Sequence, residues 1–172
     1  MITKKSKEKN MSTPLGSNER EVRIEKIKEL RAQGINPYPN RYYPTHYSQA
    51  IKTQFEQKEE SFAVNIAGRV MLKRGFGKAL FMTLRDKEGD IQIYATKEDL
   101  QENYDYLRKK IDAGDILGVK GSPFKTHKGE ITVHVKEFTL LSKAINPLPE
   151  KFHGLTDTET RYRQRYVDMI VN

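Results

Sequence analysis

Six side chains in the middle of the sequence are of the types that bind unstacked nucleotide bases. They are two rings, an amide, a carboxylate and two cations: Phe81, Tyr94, Gln92, Glu130, Lys73 and Arg74. An exposed ring is a stacking surface for any base, contributing about 1–3 kcal/mol per base. The amide and the carboxylate can hydrogen-bond to Watson–Crick edges, and the cations can hold phosphate. The set predicts a site that reads a short single-stranded segment base by base.

Strand alternation would bring these side chains to one surface. In ALFMTLR the leucines and the methionine alternate with Phe81, so this ring faces outward when the other face is buried. In DIQIY the isoleucines point inward, and Gln92 and Tyr94 therefore point outward. Glu130 and Thr132 are outward positions of a later strand, and the two cations lie at the end of the first strand.

The predicted elements between residues 61 and 143 are three strands, a helix and two more strands. Thr96 is expected to cap the helix, with Asp99 in the capping-box position, and Gly114 to end it. A phase change in the fifth strand indicates a bulge near Lys136–Glu137. This order is typical of the OB-fold, a five-stranded Greek-key barrel, so the predicted fold class is mainly β with helices (α+β).

The flanking segments complete a division into four parts. Residues 1–17 are predicted to be a disordered basic tail, and residues 18–60 a helix followed by an extended segment. The helix is expected to begin at Asn18, inside a capping box, and to end at Gly34. Residues 144–172 are interpreted as a linker and the truncated start of a further domain.

Charge and composition restrict the classes of partner. There are 31 Lys and Arg against 23 Asp and Glu, a net charge of +8, which favours a polyanionic partner. The exposed face of the first helix is expected to carry basic residues that include Arg23. The absence of cysteine excludes a disulfide framework, and the lack of an apolar run or signal sequence predicts a cytoplasmic protein without a membrane partner.

The sequence contains no pattern that predicts catalysis. We find no phosphate-cradling glycine loop, no paired catalytic carboxylates and no nucleophile next to a base. Asp157 and Glu159 fit the start of a helix, and His127 and His134 are too isolated to ligate a metal. We therefore assign no catalytic residue, metal or cofactor to this chain.

Several alternatives remain open from the residues alone. Phe81 could be covered by the N-terminal helix, and Tyr94 could be an ordinary half-buried strand tyrosine. The barrel could also be a free-standing module that binds single-stranded nucleic acid without sequence preference, governed mainly by salt. A third interpretation is a domain whose basic surface binds a partner protein.

Four segments resemble bacterial lysyl-tRNA synthetases, over about residues 18–172. They are NEREVRIEKIKELRAQGINPYP, RVMLKRGFGKALFMTLRDKEGDIQIY, GDILGVKGSPFKTHKGEI and PLPEKFHGLTDTETRYRQRYVDMIVN. The barrel pattern alone would also fit the related aspartyl and asparaginyl enzymes. The lysyl family is favoured by KFHGL and RYRQRY in the last segment together with LRAQGINPYP at the end of the first helix.

The resemblance implies that the barrel binds the U-rich anticodon loop of tRNA(Lys), UUU or CUU. It implies that Phe81 stacks on the central uridine, that Gln92 reads the edge of that base, and that Arg74 lies at the anticodon. Glu130 would contact another anticodon uridine. Uridines stack weakly among themselves, so they are easily turned out onto a protein surface.

The resemblance also implies a larger parent enzyme, a cytoplasmic homodimer that joins lysine to tRNA through a lysyl-adenylate, using ATP and Mg²⁺. RYRQRYVDMIVN is similar to the approach to the first of three class II motifs, and the second and third motifs are absent. We therefore expect this chain to end before the catalytic domain, and to be inactive and monomeric on its own.

Overall fold

The computed structural model describes residues 15–39, 41–149 and 157–171. Its elements, in chain order, are α1 (Leu15–Ala32), α2 (Ser48–Lys58), β1 (Val64–Phe76), β2 (Ala79–Arg85), β3 (Asp90–Thr96), α3 (Lys97–Leu100), α4 (Glu102–Lys110), β4 (Ile116–Lys125), β5 (Ile131–Ser142), α5 (Thr158–Arg163) and α6 (Arg165–Val171). The strands form a closed barrel in the order β1-β2-β3-β5-β4, in which only the β3–β5 pairing is parallel. This arrangement confirms the predicted OB-fold and its α+β class.

Alternation along β2 and β3 separates the core from the outer face. The buried positions of these two strands are Leu80, Met82, Leu84, Ile91, Ile93 and Ala95. Each residue between them is half-buried, as the alternating pattern predicts. The inward side chains fill the barrel, so the outward ones are not needed for its packing.

The connection between β3 and β4 confirms the predicted helix and its cap. Thr96 caps α3: its Oγ accepts from the Asp99 N–H at 3.1 Å and donates to the Asp99 carboxylate at 2.6 Å. The structure divides the predicted helix in two, because Gln101 adopts a left-handed φ of 51° between α3 and α4. The buried stripe nevertheless continues through Tyr104 and Leu107.

Two bulges change the phase of the barrel strands. The predicted bulge in β5 is confirmed, because Lys120 pairs with Glu137 and Gly121 with Val135, which leaves Lys136 unopposed. A second bulge, which the sequence did not predict, lies in β1 at Met71. Here Val70 pairs with Leu84 but Leu72 pairs with Thr83. Leu72 was expected on the inner face, and the bulge moves it to the face of Thr83.

The N-terminal region differs from its prediction in two ways. Helix α1 begins at Leu15, so Asn18 lies inside the helix and does not cap it. Residues 1–14 of the predicted tail lie outside the described residues. Gly34 ends the helix as predicted, with a φ of 74° and an N–H that donates to the Arg31 carbonyl at 3.0 Å.

Helix α2 lies within residues 18–60, where an extended segment was predicted. Its buried side chains Ile51 and Phe55 are one turn apart and form too short a pattern to stand out in the sequence. The start of the helix is attached to the β2–β3 turn, because the Ser48 N–H and hydroxyl donate to the Asp86 carboxylate at 2.6 and 2.7 Å. None of the helices in the described residues is both long and apolar enough to cross a membrane.

A polar network attaches α1 to one end of the barrel. Arg23 was expected on the exposed face, but it is buried and donates to the carbonyls of Ala113 and Ala144 at 2.9 and 3.2 Å. Lys26 pairs with Asp112 at 2.6 Å. Burial alone would raise the pKa of Asp112, but hydrogen bonds from Lys143 and Lys26 hold this pKa below its usual value.

Candidate nucleic-acid interface

Three neighbouring strands align the predicted base-binding side chains in one row. Arg74 of β1 lies opposite Phe81 of β2, and Phe81 lies opposite Tyr94 of β3. Residues in register across adjacent strands point to the same face, so these three side chains share the outer surface of the barrel. Phe81 and Tyr94 are half-buried, whereas Arg74 is exposed.

The aromatic rings on this face form a continuous row. The centroids of Phe81 and Tyr94 are 4.8 Å apart, and Phe76 meets Phe81 edge-on at 6.0 Å. Tyr94 also contacts Phe124 and His134, at centroid distances of 5.9 and 5.5 Å. These contacts support the ring of Phe81 from both sides along the row and so hold it in place.

A groove opens beside Phe81, between the β1–β2 turn and the β4–β5 loop. Its lining residues are Arg74, Phe76, Phe81, Gln92, Thr126, His127, Lys128 and Glu130. Four of the six predicted site residues are therefore together in the groove. Tyr94 lies next to it in the aromatic row, and Lys73 lies elsewhere.

The side chain of Gln92 is held by a buried hydroxyl. Thr132 donates through its Oγ to the Gln92 carbonyl oxygen at 2.9 Å. Thr132 was predicted to point outward to solvent, but it is fully buried. Since Thr132 uses the carbonyl oxygen, the NH₂ group of Gln92 is the part of the amide that can donate to a base.

Glu130 lies immediately before β5, at the end of a tight loop. The Thr126 N–H donates to the Glu130 carbonyl at 2.9 Å, and the Glu130 N–H donates to the Thr126 hydroxyl at 3.1 Å. Gly129, with a φ of 83°, supplies the left-handed residue that this turn requires. The loop thereby presents the exposed Glu130, His127 and Lys128 to the groove.

Lys73 does not join the interface, contrary to its prediction as a site residue. The bulge at Met71 places Lys73 opposite Met82, on the inward side of the strand pair. Its ammonium donates to the carbonyls of Leu107 and Ile111 at 3.2 and 2.6 Å, and also to that of Arg108. Burial lowers the pKa of Lys73 to about 8, and the carboxylate of Asp112 partly offsets this effect.

A carboxylate organises the far end of the aromatic row. The Asp99 carboxylate contacts the Thr96 hydroxyl, the His134 Nε2 at 2.6 Å and the Lys136 ammonium at 3.1 Å. These hydrogen bonds, that of Thr96 foremost, lower the pKa of Asp99 to about 2. His134 is thus held between Asp99 and the ring of Tyr94.

The structure adds three residues that sequence reasoning did not assign to the site: Phe76, His127 and Lys128. The ring of Phe76 between two glycines, in RGFGK, was an available signal, since glycines at a hairpin turn offer nothing to cover an apolar side chain. The contribution of the loop could not be read from the sequence, because it depends on how two distant hairpins meet. Within the described residues, no three His, Asp or Glu side chains are grouped to hold a metal ion.

The fold and the groove define an OB-fold protein of the nucleic-acid-binding class. Residues 64–141 match the family of OB-fold nucleic acid binding domains of the tRNA anticodon type. The chain is 54% identical over 151 residues to the lysine–tRNA ligase of Carboxydothermus hydrogenoformans, covering 88% of this chain and 31% of that protein. It is 51% identical over 158 residues to that of Streptococcus suis, covering 88% and 32% of the two chains.

A third relative, the lysine–tRNA ligase of Nostoc punctiforme, is 47% identical over 165 residues, covering 89% of this chain and 29% of that protein. The chain therefore contains an OB-fold domain of the tRNA anticodon type and is similar to lysine–tRNA ligases over most of its own length. It spans about a third of the length of the curated relatives that it matches.

Proposed function

We propose that the groove binds the U-rich anticodon loop of tRNA(Lys), UUU or CUU, with the central uridine stacked on Phe81. The observation that carries this proposal is the register of β1, β2 and β3. It places a supported ring, an arginine and a fixed amide on one face, beside a groove open to solvent. Stacking provides affinity for an unpaired base, while the amide provides choice among bases.

Gln92 distinguishes uridine from cytidine through its NH₂ group. Uracil carries a carbonyl oxygen at position 4, where cytosine carries an amino group, so a donor aimed at this position favours uracil. Thr132 holds the Gln92 carbonyl and leaves the NH₂ group to face the base. A cytosine at the same place would bring two donors together, with one polar group left unpaired.

The cations and the carboxylate at the groove complete the site. Arg74 and Lys128, one on each side of the groove, hold phosphates of the splayed loop. Glu130 accepts a hydrogen bond from the N3–H of another anticodon uridine. Lys128 replaces Lys73 in the phosphate role, because the ammonium of Lys73 is occupied by helix carbonyls.

The whole protein, on this proposal, is a lysine–tRNA ligase like the relatives named above. It would be a cytoplasmic homodimer that attaches lysine to tRNA through a lysyl-adenylate, with ATP and Mg²⁺ bound by its catalytic domain. The residues of the present chain take no part in bond formation. They bind the anticodon and position the tRNA for that domain.

The test is binding of the purified chain to a lysine-tRNA anticodon stem-loop, compared with a loop whose central U is changed to C. Wild type and Phe81→Ala are titrated at near-physiological salt. We expect wild type to prefer the U loop, and Phe81→Ala to lose about 1–3 kcal/mol of binding free energy because the stacking surface is removed.

Phe138→Ala is the matched control, because Phe138 is also half-buried but packs on Tyr106, outside the groove. It should leave the affinity for both loops unchanged. Equal binding of the U and C loops, with no effect of Phe81→Ala, would contradict the proposal. That result would favour a binder without sequence preference or a protein-interaction surface.

A further inference from the structure

We propose that Phe76 is a second base-stacking residue, which holds the anticodon nucleotide next to the one on Phe81. This inference rests on the proposed function of the groove. It assigns a base-binding role to a residue that the barrel does not need for folding.

Phe76 lies on the base-binding face by register. It pairs with Ala79 at the end of the β1–β2 ladder, two residues beyond Arg74, so both side chains point outward. The small side chain of Ala79 leaves the opposite position open. Both Phe76 and Phe81 line the groove, and their ring centroids are 6.0 Å apart.

Packing does not account for an aromatic residue at this place. Phe76 is 61% exposed, although an exposed ring of this size forgoes the stabilisation that burial would supply. Its neighbours Gly75 and Gly77 have no atom within 4 Å of where a Cβ would stand, so the turn projects into solvent. Gly77, with a φ of 57°, allows the tight turn that ends β1 at Phe76.

The two rings are inclined to each other by 76°. Bases stacked on them would therefore be nearly perpendicular and could not remain stacked on one another. A strand that uses both rings must turn sharply between two successive nucleotides, as a splayed loop does and a continuous single-stranded stack does not. Lys128 and His127 line the same groove and can contact the phosphate at that turn.

The experiment measures Kd for the lysine-tRNA anticodon stem-loop and for two derivatives. Each derivative has one abasic nucleotide, on the 5′ or the 3′ side of the central uridine. The proteins are wild type, Phe76→Ala, Phe76→Trp, Phe81→Ala and Tyr43→Ala. Tyr43 is the matched control, since it is 75% exposed and lies outside the groove.

We expect Phe76→Ala to weaken binding of the intact loop by about 5- to 150-fold, the range that corresponds to loss of one stacked base. The same substitution should have no effect on one of the two abasic loops, because its partner base is already missing. Phe76→Trp should retain the affinity of wild type, and Tyr43→Ala should behave like wild type throughout.

Two results would overturn the inference. One is an unchanged affinity of Phe76→Ala for the intact loop while Phe81→Ala still weakens binding, which leaves the proposed function standing. The other is an equal loss on the intact loop and on both abasic loops, which would mean that Phe76 acts without stacking on a base. If Phe81→Ala is also without effect, the proposed function itself fails, so the two failures are distinguishable.

Discussion

In the proposed complex, base choice depends on the orientation of the Gln92 amide. A glutamine at a protein surface can present either its carbonyl or its NH₂ group to a ligand, and the two choices favour different bases. Here the Oγ of Thr132 donates to the Gln92 carbonyl at 2.9 Å from a fully buried position. In the proposed complex, Thr132 would therefore set which group of Gln92 faces the base without itself touching RNA.

Thr132→Val tests this orientation. Valine keeps the shape of threonine but removes the hydroxyl, so the Gln92 amide becomes free to turn its carbonyl outward. We expect the preference for a central U over a central C to fall by about 3- to 10-fold, which corresponds to the free energy of one hydrogen bond. Affinity for the U loop should fall less, because stacking on Phe81 is retained.

Selectivity is measured by titrating both stem-loops against the variant and the wild type. Thr126→Val is not a suitable control, because its hydroxyl accepts from Glu130 in the loop. Thr139→Val is the appropriate control, because Thr139 lies on β5 in a separate groove, which Phe138 also lines. An unchanged U/C ratio in Thr132→Val would show that Thr132 does not orient Gln92.

Among the secondary-structure elements, the bulge in β1 determines which way the adjacent residues Lys73 and Arg74 face. Without the extra residue at Met71, the end of β1 would be in the opposite phase. With the bulge, Arg74 faces the outer surface and Lys73 faces the carboxyl end of α4. The last carbonyl groups of a helix lack intrahelical donors, and this end of the helix attracts positive charge. The ammonium of Lys73 supplies both the hydrogen-bond donors and the positive charge.

Lys73→Met should therefore affect stability but not RNA binding. The substitution keeps the apolar stem and leaves the carbonyls at the end of α4 without their donor. We expect the free energy of unfolding to fall by about 1–3 kcal/mol, measured by urea titration with circular dichroism. Lys58→Met, an exposed lysine in the last turn of α2, should cost much less.

Binding of the anticodon stem-loop completes the test of Lys73. At a temperature where Lys73→Met is folded, its affinity should equal that of wild type. A loss as large as that of Arg74→Ala would instead return Lys73 to the RNA interface. The comparison therefore distinguishes RNA binding, which the sequence predicts for Lys73, from stabilisation of the end of α4, which its contacts support.

At the scale of the whole described structure, buried charges join the N-terminal helix to the barrel. The side chains of Lys143 and Asp115 are both fully buried and paired at 2.6 Å. Asp115 also accepts from the N–H groups of Asp112 and Ala144, at 2.8 Å each. Arg23 of α1 binds the carbonyls of Ala113 and Ala144, the neighbours of this pair.

Asp115→Asn should destabilise the fold. It keeps the volume of the side chain but leaves the Lys143 ammonium with less compensating charge in a buried site. Lys143 keeps Asp112 as a second partner at 2.5 Å, so we expect a loss of about 1–3 kcal/mol and a lower urea midpoint. Glu137→Gln, which removes the exposed partner of the exposed Lys120, is the control and should cost under about 1 kcal/mol. A similar small cost for both variants would contradict this role for Asp115.

Much of the barrel could be predicted from the sequence because its determinants are local. Alternation in ALFMTLR and DIQIY depends only on the two-residue period of a strand, which identified Phe81, Gln92 and Tyr94 as outward residues. The Thr96 cap involves groups three residues apart. Helix α2 was not predicted, because its few apolar residues form no recognisable pattern in the sequence and are explained only by their burial in the folded structure.

The sequence alone was enough to predict the order of the five barrel strands, the helical region between the third and fourth strands, and the inner and outer faces of β2 and β3, which include the outward positions of Phe81 and Gln92. Three further features are visible only in the tertiary structure. Lys73 donates to carbonyls at the end of α4, Thr132 donates to the Gln92 side chain, and Phe76 and Lys128 line the same groove. Periodicity acts over a few residues, whereas a bulge, a buried donor and a meeting of two loops depend on strand register and on contacts between distant parts of the chain.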